Sequence, residues 1–140
     1  MDIEVFALCD AATEAGGKLN ILGAFDCLYA QKFPVMHPQC SVALRIRFSR
    51  IEDGGHKIKI NFVDEDGKSI LPSLDANAEI KFKEEQQYVV SNLILNIHNL
   101  KVEKAGKYSI DLAIDGKSEK SLPLFVRIVP PRPDQGQHPT

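Results

Sequence analysis

The sequence predicts an all-β protein, a single antiparallel sandwich of about eight or nine short strands. Three observations carry that reading. Apolar residues alternate strictly with others, as where Val42, Leu44, Ile46 and Phe48 interleave with Ala43, Arg45, Arg47 and Ser49. Turn signals built from Gly, Asp and Pro divide such runs at intervals of about 8–12 residues. Near the C-terminal end, Leu100, Gly106, Tyr108 and Ile110 stand at the spacing Leu-x5-Gly-x-Tyr-x-apolar.

That spacing resembles the corner of immunoglobulin-like sandwiches, where a tyrosine opens the penultimate strand and its hydroxyl bonds back to the upstream turn. The fold class is therefore an immunoglobulin-like β-sandwich with Leu100, Tyr108 and Ile110 in its core. Antibody-type domains place a disulfide cysteine two residues after that tyrosine; here the residue is Ile110, so packing alone must hold the sheets. Cys9, Cys27 and Cys40 are odd in number, far apart and without a Cys-x-x-Cys, which suits a reducing compartment.

Taken in order, Ile3 to Cys9 reads as a first strand. Asp10 to Lys18 has room for one helical turn capped by Asp10 before Gly16-Gly17. Leu19, Ile21, Gly23, Phe25, Cys27 and Tyr29 then share one face of a second strand. The Val42–Phe48 run and the Ile58, Ile60, Phe62 run flank the Gly-containing loop Ile51 to Gly55, the length of a hairpin. Matching their apolar sets puts Phe48 opposite Ile58, Ile46 opposite Ile60 and Arg47 opposite Lys59.

Asp66-Gly67 is a turn leading into a short segment, Ser69 to Leu71, that stops at Pro72. Ile80 and Phe82 mark a short strand, and Leu93, Leu95 and Ile97 a longer one. Tyr108 to Ile114 follows the corner, and Asp115-Gly116 opens a hairpin into Leu122, Leu124, Val126 and Ile128. Pro123 lacks an amide hydrogen, which favours an edge or a non-bonded ladder position. The domain is assigned to residues 1–128 and a Pro-rich flexible tail to 129–140. Within that tail, Pro130-Pro131-Arg132-Pro133 has the form of a polyproline ligand, though a solubilising role is favoured.

With 140 residues the chain is of single-domain length. Its formal net charge of −2 gives no basic stripe for a nucleic-acid backbone, and no run approaches the ~18 apolar residues of a membrane span. Acids at Asp2 and Glu4 stand where a secretory signal carries positive charge, so cytoplasmic retention is expected.

Leu8-Cys9-Asp10-Ala11-Ala12, followed by Gly17-Lys18-Leu19 and Gly23-Ala24-Phe25-Asp26, resembles a family of uncharacterised bacterial proteins, a domain of unknown function. The Asp64–Gly67 turn and the Gly106–Gly116 strand extend the resemblance over about residues 3 to 128. One departure is Phe25, where that family often has tryptophan. The resemblance implies a small cytoplasmic β-protein and supplies no catalytic residues.

Four constellations invite chemistry. His37 and Cys40 are two soft metal ligands on a loop leading into a strand, but a zinc site needs three or four, so they are weak metal candidates. Asp64-Glu65-Asp66-Gly67 has half of a calcium loop, then Lys68 and Ser69 where further oxygen ligands belong. Gly16-Gly17-Lys18 lacks the first glycine and the hydroxyl of a phosphate loop. His37, His56, His98 and His138 lie in or beside predicted turns or in the tail, and no Gly-x-Ser-x-Gly is present. No cofactor is expected.

Surface features point elsewhere. Arg45, Arg47, Lys57 and Lys59 form an outward basic cluster whose expected counter-charge is Asp111 on a neighbouring corner strand. The last strand turns Pro123 and Phe125 outward near Ala113. The expected function is a non-enzymatic binding or scaffolding module of the bacterial cytoplasm. A protein partner or a second copy would sit on Arg45, Arg47, Lys59, Asp111, Ala113 and Phe125. The alternatives are a metal-dependent or acid/base enzyme using Asp10, Asp26, His37 and Cys40, and a structural assembly subunit.

Overall fold

A computed structural model describes residues 1–130. They form nine strands and one 3-10 turn, Arg50–Glu52. The strands are β1 (Asp2–Ala15), β2 (Lys18–Ala24), β3 (Cys27–Ala30), β4 (Val35–Ser49), β5 (Gly54–Val63), β6 (Leu74–Ile80), β7 (Tyr88–Val102), β8 (Gly106–Ile114) and β9 (Lys117–Ile128). Two sheets, ordered β2-β1-β4-β7 and β3-β9-β8-β5-β6, enclose one apolar core. The strand count and the all-β class are as the alternation predicts. The predicted tail lies, from residue 131 on, outside the described residues.

The alternating runs bury the side chains they should. Val42, Leu44, Ile46, Phe48, Ile60, Phe62, Ile110, Leu112 and Leu124 are fully buried. The tyrosine corner is present: the Tyr108 hydroxyl donates to the Lys104 carbonyl at 2.6 Å, and Leu100, Tyr108 and Ile110 are all core residues. Replacing Tyr108 with Phe keeps the ring and removes that bond. Urea unfolding should show a loss of about 1 kcal/mol; an unchanged midpoint would mean the hydroxyl contributes nothing to the corner. Asp115 and Gly116 both have positive φ, 53° and 80°, as a two-residue type I′ hairpin between β8 and β9 requires.

Several local expectations fail, each for a tertiary reason. The Asp10–Lys18 join forms no helical turn; β1 continues to Ala15 and turns at Gly16-Gly17 into an antiparallel β2. The single strand expected from Leu19 to Tyr29 breaks at Phe25-Asp26, and its two halves join different sheets. Gly23, at φ 67°, precedes the crossing, and the Phe25 amide still donates to the Leu8 carbonyl before the chain leaves. On arrival β3 runs parallel to β9, so the five-stranded sheet is mixed and not wholly antiparallel. The crossing also inverts the faces: Leu28 packs on the core while Tyr29 is exposed.

Nor do β4 and β5 form a hairpin. The 3-10 turn carries the chain across the core, so Phe48 pairs with Val89 of β7 while Ile58 pairs with Ala76 of β6 and Ile114 of β8. Arg47 and Lys59 therefore lie in different sheets and never face each other. Both strands needed their apolar faces buried, and opposing sheets satisfy that as well as one sheet does. The segment around Ser69 makes only an isolated bridge to Val63, and β6 ends at Ile80, before Phe82. β7 is longer than its Leu93–Ile97 signal. At Asn99 a φ of 57° shifts the alternation, letting Ile97, Leu100 and Val102 all reach the core.

Candidate functional site

Two outward faces and one seam carry the polar chemistry of the molecule. The outward face of the four-stranded sheet centres on Glu4, whose carboxylate accepts from Arg45 at 2.9 Å and from Arg47 at 2.7 Å. The two guanidiniums hold the Glu4 carboxyl below its ordinary range. Arg47 also lies over the Tyr88 ring at 5.8 Å. Asp111, the counter-charge expected for these arginines, is in the other sheet and accepts from Ser109 and Ser121 instead.

The β1–β2 hairpin doubles back over this face. Arg45 pairs with Val5 and Asn92 in the ladder, yet both Arg45 and Asn92 donate to the Gly17 carbonyl, at 3.4 and 3.1 Å. A straight β1 would carry residue 17 well beyond them. The covered side chains explain why Cys9, Ser41 and Ala43, on the outward alternation, are fully buried. Ser41 is satisfied there by Asn96 at 2.7 Å.

On the outward face of the five-stranded sheet, Lys59 lies opposite Ala113 with Asp111 beside them, but Phe125 stands near the other end of β8, roughly 20 Å along the strand from Ala113, and not next to it as expected. Phe125 is opposite Lys107 in the ladder. The cations of Lys107 and Arg127 lie 5.9 and 5.3 Å from its ring centre. Tyr29, paired with Arg127 and 65% exposed, extends the patch. Arg45 and Arg47 do not belong to it, so the six residues predicted as one surface are divided between two.

The residues of the enzyme alternative occupy one end of the four-stranded sheet. Asp10 lies against Gly23, Asp26 lines the seam between the sheets, and the His37 ring packs 5.7 Å from Phe25. His37 is in β4, not in a loop. Burial pushes the Cys40 thiol up to about 11 and raises Cys9 as well, which keeps both thiols protonated and unreactive near neutrality. Among the described residues no three His, Cys, Asp or Glu side chains converge on a metal position. The Asp64 carboxylate caps its own turn, accepting from the Asp66 and Lys68 amides at 2.9 Å, as a hairpin turn would.

The sequence reading missed His56. Its Nδ1 is 2.6 Å from an Asp115 carboxylate oxygen and its Nε2 is 2.6 Å from the Glu52 carbonyl, while the ring stacks on Phe48 at 4.8 Å. Both ring nitrogens face acceptors, so only the imidazolium satisfies both. Burial opposes that charge, but the Glu52 carbonyl and the Asp115 carboxylate outweigh it and raise the pKa. The Lys57 amide and then His56 lower that of Asp115.

The pH dependence follows from those directions. The His56 contribution is complete below its ordinary value of about 6.5 and is lost as pH rises through the higher folded value. The Asp115 contribution is complete above about 3.9 and is lost as pH falls through its lower folded value. Unfolding free energy should therefore fall above neutrality, and His56→Gln should flatten that limb. An unaltered alkaline limb in the variant would contradict the assignment.

A family model matches residues 4–127, almost the whole of the described chain. The chain belongs to DUF6941, a family of unknown function. The match runs from β1 into β9 and so takes in the hairpin, the crossing at Phe25-Asp26 and the Phe125 face. No curated protein matches the chain.

Proposed function

We propose that this chain is a non-enzymatic binding module whose contact surface is the outward face of the five-stranded sheet. The observation that carries this is Phe125, an outward aromatic held between Lys107 and Arg127 beside exposed Tyr29. An aromatic anchor rimmed by charge is the composition that gives protein interfaces affinity and register. Lys59 and Asp111 supply both signs on the same face, so a second copy can dock isologously, Lys59 of one chain meeting Asp111 of the other.

The tyrosine corner and the two-sheet core favour an immunoglobulin-like description of the fold. Three free thiols and no disulfide among the described residues favour a reducing, cytoplasmic setting.

Sedimentation velocity over a wide concentration range tests the proposal. The wild-type chain should self-associate, and Phe125→Glu should shift it to monomer while its thermal midpoint stays within a few degrees. Association that survives Phe125→Glu would place the interface elsewhere. A wild-type chain monomeric throughout would end the self-association version.

A further inference from the structure

The chain passes between the sheets twice at the end that carries His56. The Arg50–Glu52 turn takes it from β4 to β5, and residues 81–87 return it from β6 to β7. One Arg50 nitrogen ties the two crossings together, donating to the Lys83 and Gln86 carbonyls at 2.9 and 2.8 Å. His56 ties them to a third element, because its ring lies between the Glu52 carbonyl of the turn and the Asp115 carboxylate of the β8–β9 hairpin.

The two partners of the ring are not held alike. Asp115 is fixed: its amide donates to the Lys57 carbonyl at 2.8 Å, and its second carboxylate oxygen accepts from the Lys57 amide at 2.9 Å. The Arg50–Glu52 turn has no buried residue, and Ile51 at its centre is 92% exposed. A neutral imidazole has one N–H for two acceptors. A charge-assisted bond to a carboxylate is roughly twice as strong as one to a neutral carbonyl, so the remaining proton stays on Nδ1. The Nε2 lone pair then faces the Glu52 carbonyl oxygen at 2.6 Å, an unfavourable contact that the exposed turn relieves by swinging its carbonyl into water.

Few charges reach the ring. Asp115 and Glu52 do, with Lys57 acting through Asp115, while Phe48 and Ala78, its neighbours from β4 and β6, carry none. The Glu52 carboxylate accepts from the Ser49 amide and hydroxyl and is 3.1 Å from the Met1 amino group, a second titratable group on the turn. We propose that His56 is a pH-operated latch: losing its proton frees the Arg50–Glu52 turn while the β8–β9 hairpin stays bound, so this end of the sandwich opens locally before the domain unfolds.

The test follows the full chain, labelled with nitrogen-15, by NMR from about pH 6 to 10. Through the His56 titration, Nε2 should lose its proton and Nδ1 keep it. Over the same range the Ser49 and Asp53 amides, bonded to Glu52 and Arg50 of the turn, should lose at least ~10-fold in exchange protection after correction for base catalysis. The Lys57 and Asp115 amides should keep theirs. Asp115→Asn removes the anion that favours the imidazolium and should lower the titration midpoint by at least ~0.5 pH unit. A neutral ring protonated on Nε2, an unmoved midpoint in Asp115→Asn, or loss of protection at all four amides together overturns the proposal. So does loss at Ser49 and Asp53 that persists in His56→Gln, which would assign the opening to the Met1 amino group.

Discussion

Phe48→Ala is expected to lower the unfolding free energy by about 3–5 kcal/mol, the usual cost of deleting a fully buried aromatic side chain. Phe48 ends the buried run of β4, pairs with Val89 and is the wall against which the His56 ring stacks. Its loss leaves a cavity where the chain crosses between sheets, and it removes the apolar support of a charged imidazole. Urea titration should show a lower midpoint with an unchanged slope, the sign of lost stability without a change of denatured state. A loss below about 1 kcal/mol would show that the region repacks and that the crossing does not depend on this side chain.

Gly23→Ala should cost about 1–2 kcal/mol, because φ at that position is 67° and an L side chain is strained there. A Cβ at Gly23 would also come within 2.5 Å of an Asp10 carboxylate oxygen. That second effect is removable. In the Asp10→Ala background the penalty should shrink to its backbone part, so the two substitutions would not add. Denaturant midpoints of the four proteins measure this directly. Full additivity would show that Asp10 swings aside at no cost. The position matters because two residues later the chain leaves the four-stranded sheet, with only the bond from Phe25 to Leu8 holding it to β1.

The partner surface divides between what could and could not be read in advance. The outward parity of Phe125, Ala113, Lys59 and Asp111 came from alternation and holds, whereas the expected closeness of Phe125 to Ala113 does not, because they lie toward opposite ends of β8. The cations on the Phe125 ring are harder to place, since counting back from the Asp115-Gly116 turn sets Lys107 opposite Leu124. A bulge between Leu112 and Ala113 shifts the register by one and brings Lys107 to Phe125. The clue was present: an even-numbered core face on both strands cannot be joined by a two-residue turn without one extra residue. Arg45 and Arg47 gave no such clue, because their partner Glu4 lies far away in the chain and in a strand whose neighbours were unknown.

By itself the sequence determined the period of each strand, and with it the all-β class, the buried face of β4, β5, β8 and β9, the Tyr108 corner and the Asp115-Gly116 hairpin. These are local properties, set by which side chains shun water and which residues tolerate a turn. The tertiary structure decided which strands became neighbours. β4 and β5 read equally well as a hairpin or as opposing sheets, since either arrangement buries Phe48, Ile46, Ile58 and Ile60. The same ambiguity hid the break at Phe25-Asp26, the fold-back of the β1–β2 hairpin onto Arg45 and Asn92, and the meeting of His56 with Asp115. Alternation records whether a side chain is buried and carries no information about what is buried against it, and for that reason every contact between distant strands had to come from the packed chain.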